Sequence, residues 1–263
     1  MLTFAVFLFL GAVGGFLSGL LGVGGALIMI PLMLEAPPWF GLPPLSMQHV
    51  AGLSMVQVVF ASISGVLRHH RNRCFHGPLF ILLAVCMSGA ALVGAVVSKW
   101  MPDTALLLAF GIMLIAAGSM LFIPVRGETE TAPVGCINVE FNRFAAIGIG
   151  LGVGLVGGMV GAGGGFLLVP LMLYILHIPL RVTVGTSLGV VLAGGIAGGI
   201  GKIVTGQVLW FPAIGLILGS IVMAQAGAIV SHKTPARALR YLLIGVVIVS
   251  GIRIWRDIFL RLS

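Results

Sequence analysis

Two runs of glycine inside long apolar stretches are the residues of this chain best suited to chemistry. The stretches "GVGGALIMIPLML" (residues 22–34) and "GAGGGFLLVPLML" (residues 161–173) are nearly identical, and each carries a proline nine residues after its first glycine. A helix broken at such a run exposes backbone N–H and C=O groups, which are costly in hydrocarbon unless a polar pocket satisfies them. A half-helix that begins after the run presents free N–H groups and about half a positive charge, which suits an anion.

We therefore expect the glycines of both runs to form a binding site for an anion, because glycine also lets a ligand approach the backbone closely. These candidate residues are Gly22, Gly24, Gly25, Gly161, Gly163, Gly164 and Gly165. Close packing of helices through small residues is the alternative explanation. It fits the neighbouring stretch "IGIGLGVGLVGG" (147–158) better, because the two glycine runs are each paired with a proline.

Hydroxyl and amide side chains inside two other apolar stretches are the second group of candidates. Ser54 and Gln57 lie in residues 46–67, and Thr186 and Ser187 lie near the start of residues 182–205. Side chains of this kind can complete the coordination of an oxyanion. The alternative is that each hydroxyl bonds the backbone of its own helix or holds a neighbouring helix.

No acidic side chain lies in the middle of an apolar stretch. Glu35 and Asp103 lie at the edges of such stretches. A site for cations inside a membrane normally needs a carboxylate to offset dehydration. The charge pattern therefore favours an anionic ligand.

Metal and nucleotide sites are the competing interpretations of two short motifs. The stretch "RHHRNRCFH" (68–76) contains ligands that suit zinc or copper: His69, His70, Cys74 and His76. The matching stretch later in the chain, "GKIVTGQVL" (201–209), has none of them, which favours a basic loop at the lipid headgroups. "GVGLVG" (152–157) matches a dinucleotide fingerprint but lacks the acidic residue and the strand that the fingerprint needs. We expect neither a metal site nor a cofactor.

The composition places the chain in a membrane. It is 263 residues long, 59% hydrophobic and 8% charged, whereas soluble domains carry roughly 25% charged residues. A chain this apolar cannot cover its surface in water, so we expect an all-α polytopic membrane protein. The formal net charge of +8 comes from basic residues that lie mostly between apolar runs, where the lipid bilayer, and not nucleic acid, is the expected partner.

Eight apolar segments follow one another along the chain, and most have the ~20 residues that cross a bilayer. They are residues 2–34, 46–67, 78–99, 103–124, 144–177, 182–205, 209–231 and 236–256. Segments one and five are too long for a single crossing, since a helix of residues 2–34 would reach about 50 Å. We expect both to be interrupted at their glycine runs.

The segments form two homologous repeats of four. Residues 1–125 form repeat one, residues 126–140 a polar linker, and residues 141–263 repeat two. "AGLS" (51–54) matches "VGTS" (184–187), and "VGAVVSKWMPDTA" (93–105) matches "AGAIVSHKTPARA" (226–238). Such duplication is typical of secondary transporters.

The relative orientation of the repeats depends on the glycine runs. The repeats are parallel if all eight segments cross once, and inverted if segments one and five fold back at their glycines. Lys and Arg divide nine against five between the two sides either way, so the positive-inside rule does not decide. We expect inverted repeats, because the interruptions fall at corresponding positions of the two halves.

The doubled pattern "SGLLGVGGALIMIPLML" and "GGMVGAGGGFLLVPLML", followed by "VGTS", resembles the TauE/SafE-type sulfite exporters, also called the toluene sulfonate uptake permease family. The resemblance covers essentially the whole chain. It implies a bacterial inner-membrane carrier of sulfite, sulfoacetate or other sulfur-containing or organic anions, with the motif glycines, Thr186 and Ser187 at its site. The first half departs from this pattern, since Ala26 stands opposite Gly165 and Leu53 opposite Thr186, so we expect it to contribute fewer ligands.

These observations lead us to expect a secondary carrier of a small anion in the bacterial cytoplasmic (inner) membrane, with sulfite or a related sulfur oxyanion or organosulfonate as substrate. The chain has no Walker A motif, so protons or the membrane potential would drive it. The substrate itself, His49 or His177 would carry the proton. Scattered histidines without a paired nucleophile argue against an enzyme. A structural or assembly component and a transition-metal transporter are the alternatives, and the direction of transport, the cytoplasmic face and a homo-oligomer are left open.

Overall fold

The computed structural model describes residues 2–21, 25–69, 77–122, 141–178, 180–233 and 236–262. Helices dominate these ranges. The α-helices are α1 (Leu2–Leu21), α2 (Ala26–Trp39), α3 (Met47–His69), α4 (Gly77–Val97), α5 (Asp103–Phe122), α6 (Arg143–Val160), α7 (Gly165–Tyr174), α8 (Leu180–Val204), α9 (Trp210–Lys233) and α10 (Ala236–Leu262), and a 3₁₀ turn at Ser98–Trp100 follows α4.

Several of these helices have the length and apolarity that a membrane span needs. Within the described ranges six qualify, as 18-residue or longer windows: Leu2–Leu20, Gly77–Trp100, Asp103–Met120, Arg143–Val160, Thr186–Val204 and Trp210–Gly227. Three shorter apolar helices, Ala26–Trp39, Met47–Ile63 and Gly165–Tyr174, accompany them. The chain is therefore a multi-pass helical membrane protein, as its composition predicts. Segments one and five each contain two helices, so eight segments yield ten described helices.

Glycines in the left-handed conformation interrupt segment five. Helix α6 ends at Val160, and Gly161, Gly163 and Gly164 have φ values of 78°, 60° and 66° before α7 begins. Residues with a Cβ are strained at such angles, so glycine is required here. The interruption predicted within residues 161–165 is confirmed.

A glycine in the left-handed conformation also lies at the interruption of segment one, on the side where α2 begins. Gly25 has a φ of 72° and lies immediately before α2. Gly22 and Gly24 lie outside the described residues. The left-handed angle at Gly25 separates α2 from α1.

Helices α4, α6 and α8 run in the same direction. On α6, a Cβ added at Gly150 would lie 3.0 Å from Cys86 of α4, and one at Gly158 would meet the backbone of Ala91, further along α4. On α8, Gly189 lies against Phe80 at the start of α4, and Gly201 lies against its end. The chain must therefore cross back between the end of α6 and the start of α8, and α7 makes this return.

Helix α2 folds back along α1 in the same way. A Cβ at Gly25 would lie 2.7 Å from Ser18, whereas Met29, one turn further along α2, lies against Gly14, one turn earlier in α1. Contacts that run in opposite directions along two helices show that they are antiparallel. Each interrupted segment is thus a hairpin of two helices.

Helices α3 and α8 cross at the centre of the bundle and run antiparallel. A Cβ added at Gly195 of α8 would lie 3.3 Å from Val59 of α3. One added at Gly198 would meet Met55, which is one turn earlier in α3. These contacts fall near the middle of both helices. The side chains that α3 and α8 turn towards each other are consequently remote from both ends of the bundle.

Backbone contact through glycine holds the outer helices. Helix α1 packs most extensively on α9, and α4 on α6. Added Cβ atoms at Gly11 and Gly15 of α1 would meet the backbones of Leu216 and Ser220 in α9. Gly154 and Gly158 touch α4 in the same manner, so packing, as the sequence suggests for residues 147–158, explains these glycines.

Candidate functional site

The most unusual feature of the bundle is a set of buried polar side-chain atoms without a hydrogen-bond partner. They are Ser54 Oγ, Gln57 Nε2 and Oε1, Ser62 Oγ and Thr186 Oγ1. Their side chains are at most 1% exposed. Buried polar atoms in proteins are nearly always paired, since each unpaired one costs about 1–3 kcal/mol. A set of this size on two adjoining helices points to a polar partner that comes from outside the chain.

Ser54 lies beside the interruption of segment five. An added Cβ at Gly161 would meet the backbone of Ala51, and one at Gly163 would lie 2.6 Å from Val58 Cγ1. Ser54 lies on α3 between these two contact points. At 100° per residue, Ala51, Ser54 and Val58 fall within one 60° sector of the helix. The interruption therefore packs on the face of α3 that carries the unpaired Ser54 hydroxyl.

The start of α7 gives this region a positive electrostatic character. The N–H groups of Leu167 and Leu168 bond the carbonyl oxygen of Gly164, at 3.1 and 2.9 Å. The N–H groups of Gly165 and Phe166 precede them and have no acceptor within the helix. Together with the helix dipole, such groups favour an anion.

Gln57 lies on the side of α3 that faces the other hairpin. Its Nε2 is 2.8 Å from a Cβ built on Gly14 of α1, and Met29 of α2 occupies the same place. One turn of α3 thus places Ser54 near segment five and Gln57 near segment one. Both atoms of the Gln57 amide group are unpaired, so it can offer a ligand either a donor or an acceptor.

Thr186 lies at a different depth from Ser54. A Cβ added at Gly163 would lie 3.5 Å from Val191 of α8 and 2.6 Å from Val58 of α3. Ser54 precedes Val58 and Thr186 precedes Val191, and α3 and α8 are antiparallel, so the two hydroxyls lie on opposite sides of this level. The contact of Gly195 with Val59 leaves Ser54 five residues to one side and Thr186 nine residues to the other, so the two hydroxyls are roughly 21 Å apart along the bundle at 1.5 Å per residue.

The unpaired side chains therefore form a string of successive levels on α3 and α8, with Gln57 on the side of α3 that faces α1, and not one compact cluster. Ser54 stands at one end, Gln57 is near the middle, and Ser62 and Thr186 lie towards the other end. Ser62 was not among the sequence candidates. Its position in α3 eight residues, or about two turns, after Ser54 was the signal that could have found it.

The remaining sequence candidates have other surroundings. Ser187 is 3% exposed, and it forms an interaction within the chain. His49 lies at the start of α3, where its Nδ1 is 2.9 Å from Ser46 Oγ. His177 is exposed, has a φ of 53° and lies 3.2 Å from the Ile175 carbonyl oxygen. Both histidines lie at the ends of helices.

Parts of the histidine- and cysteine-containing stretch are not described. His70, Cys74 and His76, like the linker at 126–140, lie outside the described residues, and the side chain of His69 does too. Across the part of the chain that the structure describes, no group of three His, Cys, Asp or Glu side chains converges to hold a metal ion.

A buried lysine is the functional candidate that the sequence reasoning missed. Lys202, in the last turn of α8, has no exposed surface. Its Nζ donates to Ser98 Oγ at 2.6 Å, Met159 O at 2.9 Å and Gln207 Oε1 at 2.9 Å. A lysine near the end of an apolar segment ordinarily extends to the lipid headgroups, and the sequence offers no signal that this one is enclosed.

A separate cavity of about 450 Å³ lies between α2 and α10. Its walls are mostly apolar, and Glu35 and Arg253, which form an ion pair, lie at one end. None of the sequence candidates lines it, so it is distinct from the string of unpaired side chains.

Comparisons with known proteins identify relatives of this chain among membrane transporters. The chain is 24% identical to the probable membrane transporter protein YunE of Bacillus subtilis, over 98% of this chain and 100% of that protein. It is also 24% identical to the probable membrane transporter protein YjnA of the same organism, over 91% and 95% of the two chains. A probable membrane transporter protein of Xylella fastidiosa is 26% identical over 86% and 84%. No solved structure matches the chain. The family model described as sulfite exporter TauE/SafE matches residues 7–254, and the chain therefore belongs to this family of membrane transporters.

Proposed function

We propose that this chain is a secondary transporter of a small oxyanion, with sulfite or a related sulfur oxyanion or organosulfonate as substrate, in the bacterial inner membrane. The observation that carries the proposal is the string of buried, unpaired polar atoms on α3 and α8. Hydroxyl and amide groups replace the hydration of an oxyanion without themselves carrying charge.

The charges of the interior support an anionic substrate. Among the described residues, the buried polar and charged side chains include one lysine and no Asp or Glu. Cations crossing a membrane through protein are normally met by a carboxylate. The start of α7, with its free N–H groups, adds positive potential next to Ser54.

The directions of the helices support two inverted repeats. Segments one and five each fold back as a hairpin, so each repeat has five helices: α1–α5 and α6–α10. The pairs α1–α9 and α4–α6 exchange under this correspondence, and both run in parallel. The pairs α3–α8 and α5–α10 map onto themselves. Carriers with such repeats bind substrate where interrupted helices meet near the middle of the bilayer, and the contact of the segment-five glycines with the Ser54 face of α3 supports a site there.

Coupling to protons or to the membrane potential is part of the same proposal. The substrate can carry the proton itself, since sulfite titrates near neutrality. His49 and His177 remain candidates, although both lie at helix ends. The name of the family, sulfite exporter, supports export of such an anion.

Uptake into proteoliposomes tests the proposal. Purified protein is reconstituted with sulfite inside, and exchange with external radiolabelled sulfite is measured, with sulfate, methanesulfonate, sulfoacetate, chloride, Zn²⁺ and Cu⁺ as competitors. We expect exchange that sulfur oxyanions or sulfonates inhibit and that metals leave unchanged. Exchange no faster than in empty liposomes for every anion would refute the proposal, and inhibition by metals alone would favour a transition-metal transporter.

A further inference from the structure

The surroundings of Lys202 suit its ammonium form. Ser98 Oγ lies 2.6 Å from Nζ, and its own proton has two acceptors within reach, Ala95 O at 2.7 Å and Gln207 Oε1 at 3.2 Å. The carbonyl oxygen of Met159 is an acceptor by nature. Gln207 turns its Nε2 to Ala95 O and to Thr205 Oγ1, at 3.0 and 2.7 Å, which leaves Oε1 for the lysine. The ammonium form can donate one N–H to each of the three oxygens, at distances of 2.6 to 2.9 Å.

The ammonium group of Lys202 has no anionic partner among these contacts, because all three acceptors are neutral oxygens. It lies instead at the negative ends of two helices. Lys202 is in the last turn of α8, and Met159 is in the last turn of α6. The C-terminal end of a helix carries about half a negative charge, so these two ends stabilise the buried cation.

The lysine lies close to the candidate anion site. Met159 precedes Gly161 by two residues, and Gly161 packs on the backbone of Ala51 in α3. Gln207 is another hydrogen-bond partner of Lys202. Its backbone carbonyl oxygen lies 2.5 Å from a Cβ built on Gly52 of α3. Lys202 therefore borders the turn of α3 that carries the unpaired Ser54 hydroxyl.

The hairpin geometry explains why a cation is needed there. Because α7 folds back along α6, the negative end of α6 lies beside the positive start of α7, and their opposite partial charges offset each other. Lys202 neutralises the negative ends of α6 and α8. The start of α7 then remains the dominant potential at Ser54.

We propose that Lys202 determines the charge selectivity of the carrier by keeping the Ser54 end of the polar string electropositive, without touching the substrate. This inference rests on the proposed function and extends it: the site favours oxyanions in the order of their negative charge. A purely structural role for Lys202, as a tie between the ends of α4, α6, α8 and α9, is the competing explanation.

The charge dependence of inhibition separates the two explanations. Inhibition constants of methanesulfonate, with one negative charge, and thiosulfate, with two, are measured against sulfite exchange in proteoliposomes. The variants are Lys202→Met, Lys202→Arg and Gln207→Glu, which places a carboxylate beside the ammonium and neutralises it without removing the lysine. Lys99→Met is the matched control, since Lys99 is exposed and lies next to Ser98.

A Coulomb energy is proportional to the charge of the ligand, so neutralisation weakens methanesulfonate roughly tenfold and thiosulfate roughly a hundredfold. We expect Lys202→Met and Gln207→Glu to show this graded loss, and Lys202→Arg and Lys99→Met to keep the ratio of the two constants near that of the wild-type protein. If Lys202→Met does not fold, Gln207→Glu decides the question alone. Equal weakening of both inhibitors, or none, overturns the inference while leaving the proposed function intact. A wild-type protein that exchanges no sulfite overturns the proposed function, and the inference with it.

Discussion

Removing the buried hydroxyl of Ser54 should affect stability and binding in opposite directions. Its Oγ has no partner in the chain, so Ser54→Ala removes the cost of burying an unpaired polar group. We expect the variant to be more stable by about 1 kcal/mol. We also expect its affinity for sulfite to fall roughly three- to tenfold, as the loss of one hydrogen bond predicts.

Thermal unfolding in detergent and the affinity for sulfite measure the two effects on the same preparation. Ser119→Ala is the control, because this exposed serine bonds the Ala116 carbonyl oxygen at 2.9 Å in its own helix. A Ser54→Ala protein that loses stability and keeps its affinity would show that the hydroxyl has a structural role.

Gln57 offers a test of the sign of the substrate charge. Its amide lies in the buried string with both polar atoms unpaired. We expect Gln57→Leu to weaken sulfite binding about tenfold and Gln57→Glu to weaken it further, because an ionised carboxylate repels an anion at short range. Comparison of the two inhibition constants provides the measurement. Tighter binding of an anion by Gln57→Glu would contradict an anion site at this position.

At the level of single residues, the sequence predicted those that differ from their surroundings. Ser54, Gln57 and Thr186 are polar residues in apolar runs, and all three are buried with unpaired atoms. It missed Lys202, because whether a lysine near a segment end reaches the headgroups or turns inward depends on neighbours that are distant in sequence, such as Ser98 and Met159. The role of the predicted residues in binding stays a prediction.

Two features of Gly163 make glycine necessary at the interruption of segment five: its positive φ angle and the close approach of Val58. A pair of substitutions separates the two effects. Gly163 has a φ of 60°, and an added Cβ would lie 2.6 Å from Val58 Cγ1. We expect Gly163→Ala to lower stability by about 2–3 kcal/mol and to abolish exchange. Adding Val58→Ala relieves the contact, and the remaining cost should be the roughly 1–2 kcal/mol of a left-handed alanine.

Two other glycines serve as controls for this element. Gly152 in α6 has no atom within 4 Å of an added Cβ, so Gly152→Ala should leave stability and exchange unchanged. An added Cβ at Gly94 of α4 would meet the Leu155 carbonyl oxygen of α6, so Gly94→Ala should reduce the folded yield while the molecules that fold exchange normally. The same pattern for Gly163→Ala, with normal exchange per folded molecule, would mean that the interruption only packs helices.

Helix boundaries followed from the sequence more readily than helix directions. The glycine run and the length of the apolar segment were enough to predict that segment five is interrupted at residues 161–165, where α6 ends and α7 begins. They did not specify that α7 returns along α6, because a kinked helix and a hairpin can share the same pattern. The fold-back is instead evident from contacts such as that of Gly164 with Val153, which lie eleven residues apart.

At the scale of the molecule, the proposed inverted repeats predict a membrane topology, which the counts of Lys and Arg do not decide. If all ten helices cross, and α2 and α7 return at the glycine runs, positions 142 and 177 should lie on the same side of the membrane, because α6 and α7 form one hairpin between them. Position 43, before α3, should lie on the other side. With eight simple crossings, positions 142 and 177 would lie on opposite sides, and 43 would share the side of 177.

Single cysteines at these positions test the topology directly. Pro43, Asn142 and His177 are exposed, so each can be replaced by cysteine in a protein whose own Cys74, Cys86 and Cys136 are changed to alanine. A membrane-impermeant maleimide is applied to right-side-out cells and to inverted vesicles, and size-exclusion chromatography in detergent verifies that each variant is folded. We expect Asn142→Cys and His177→Cys to react from the same face and Pro43→Cys from the opposite one. Labelling of 43 and 177 from one face and 142 from the other would exclude the hairpin in segment five, and with it the placing of the start of α7 beside Ser54.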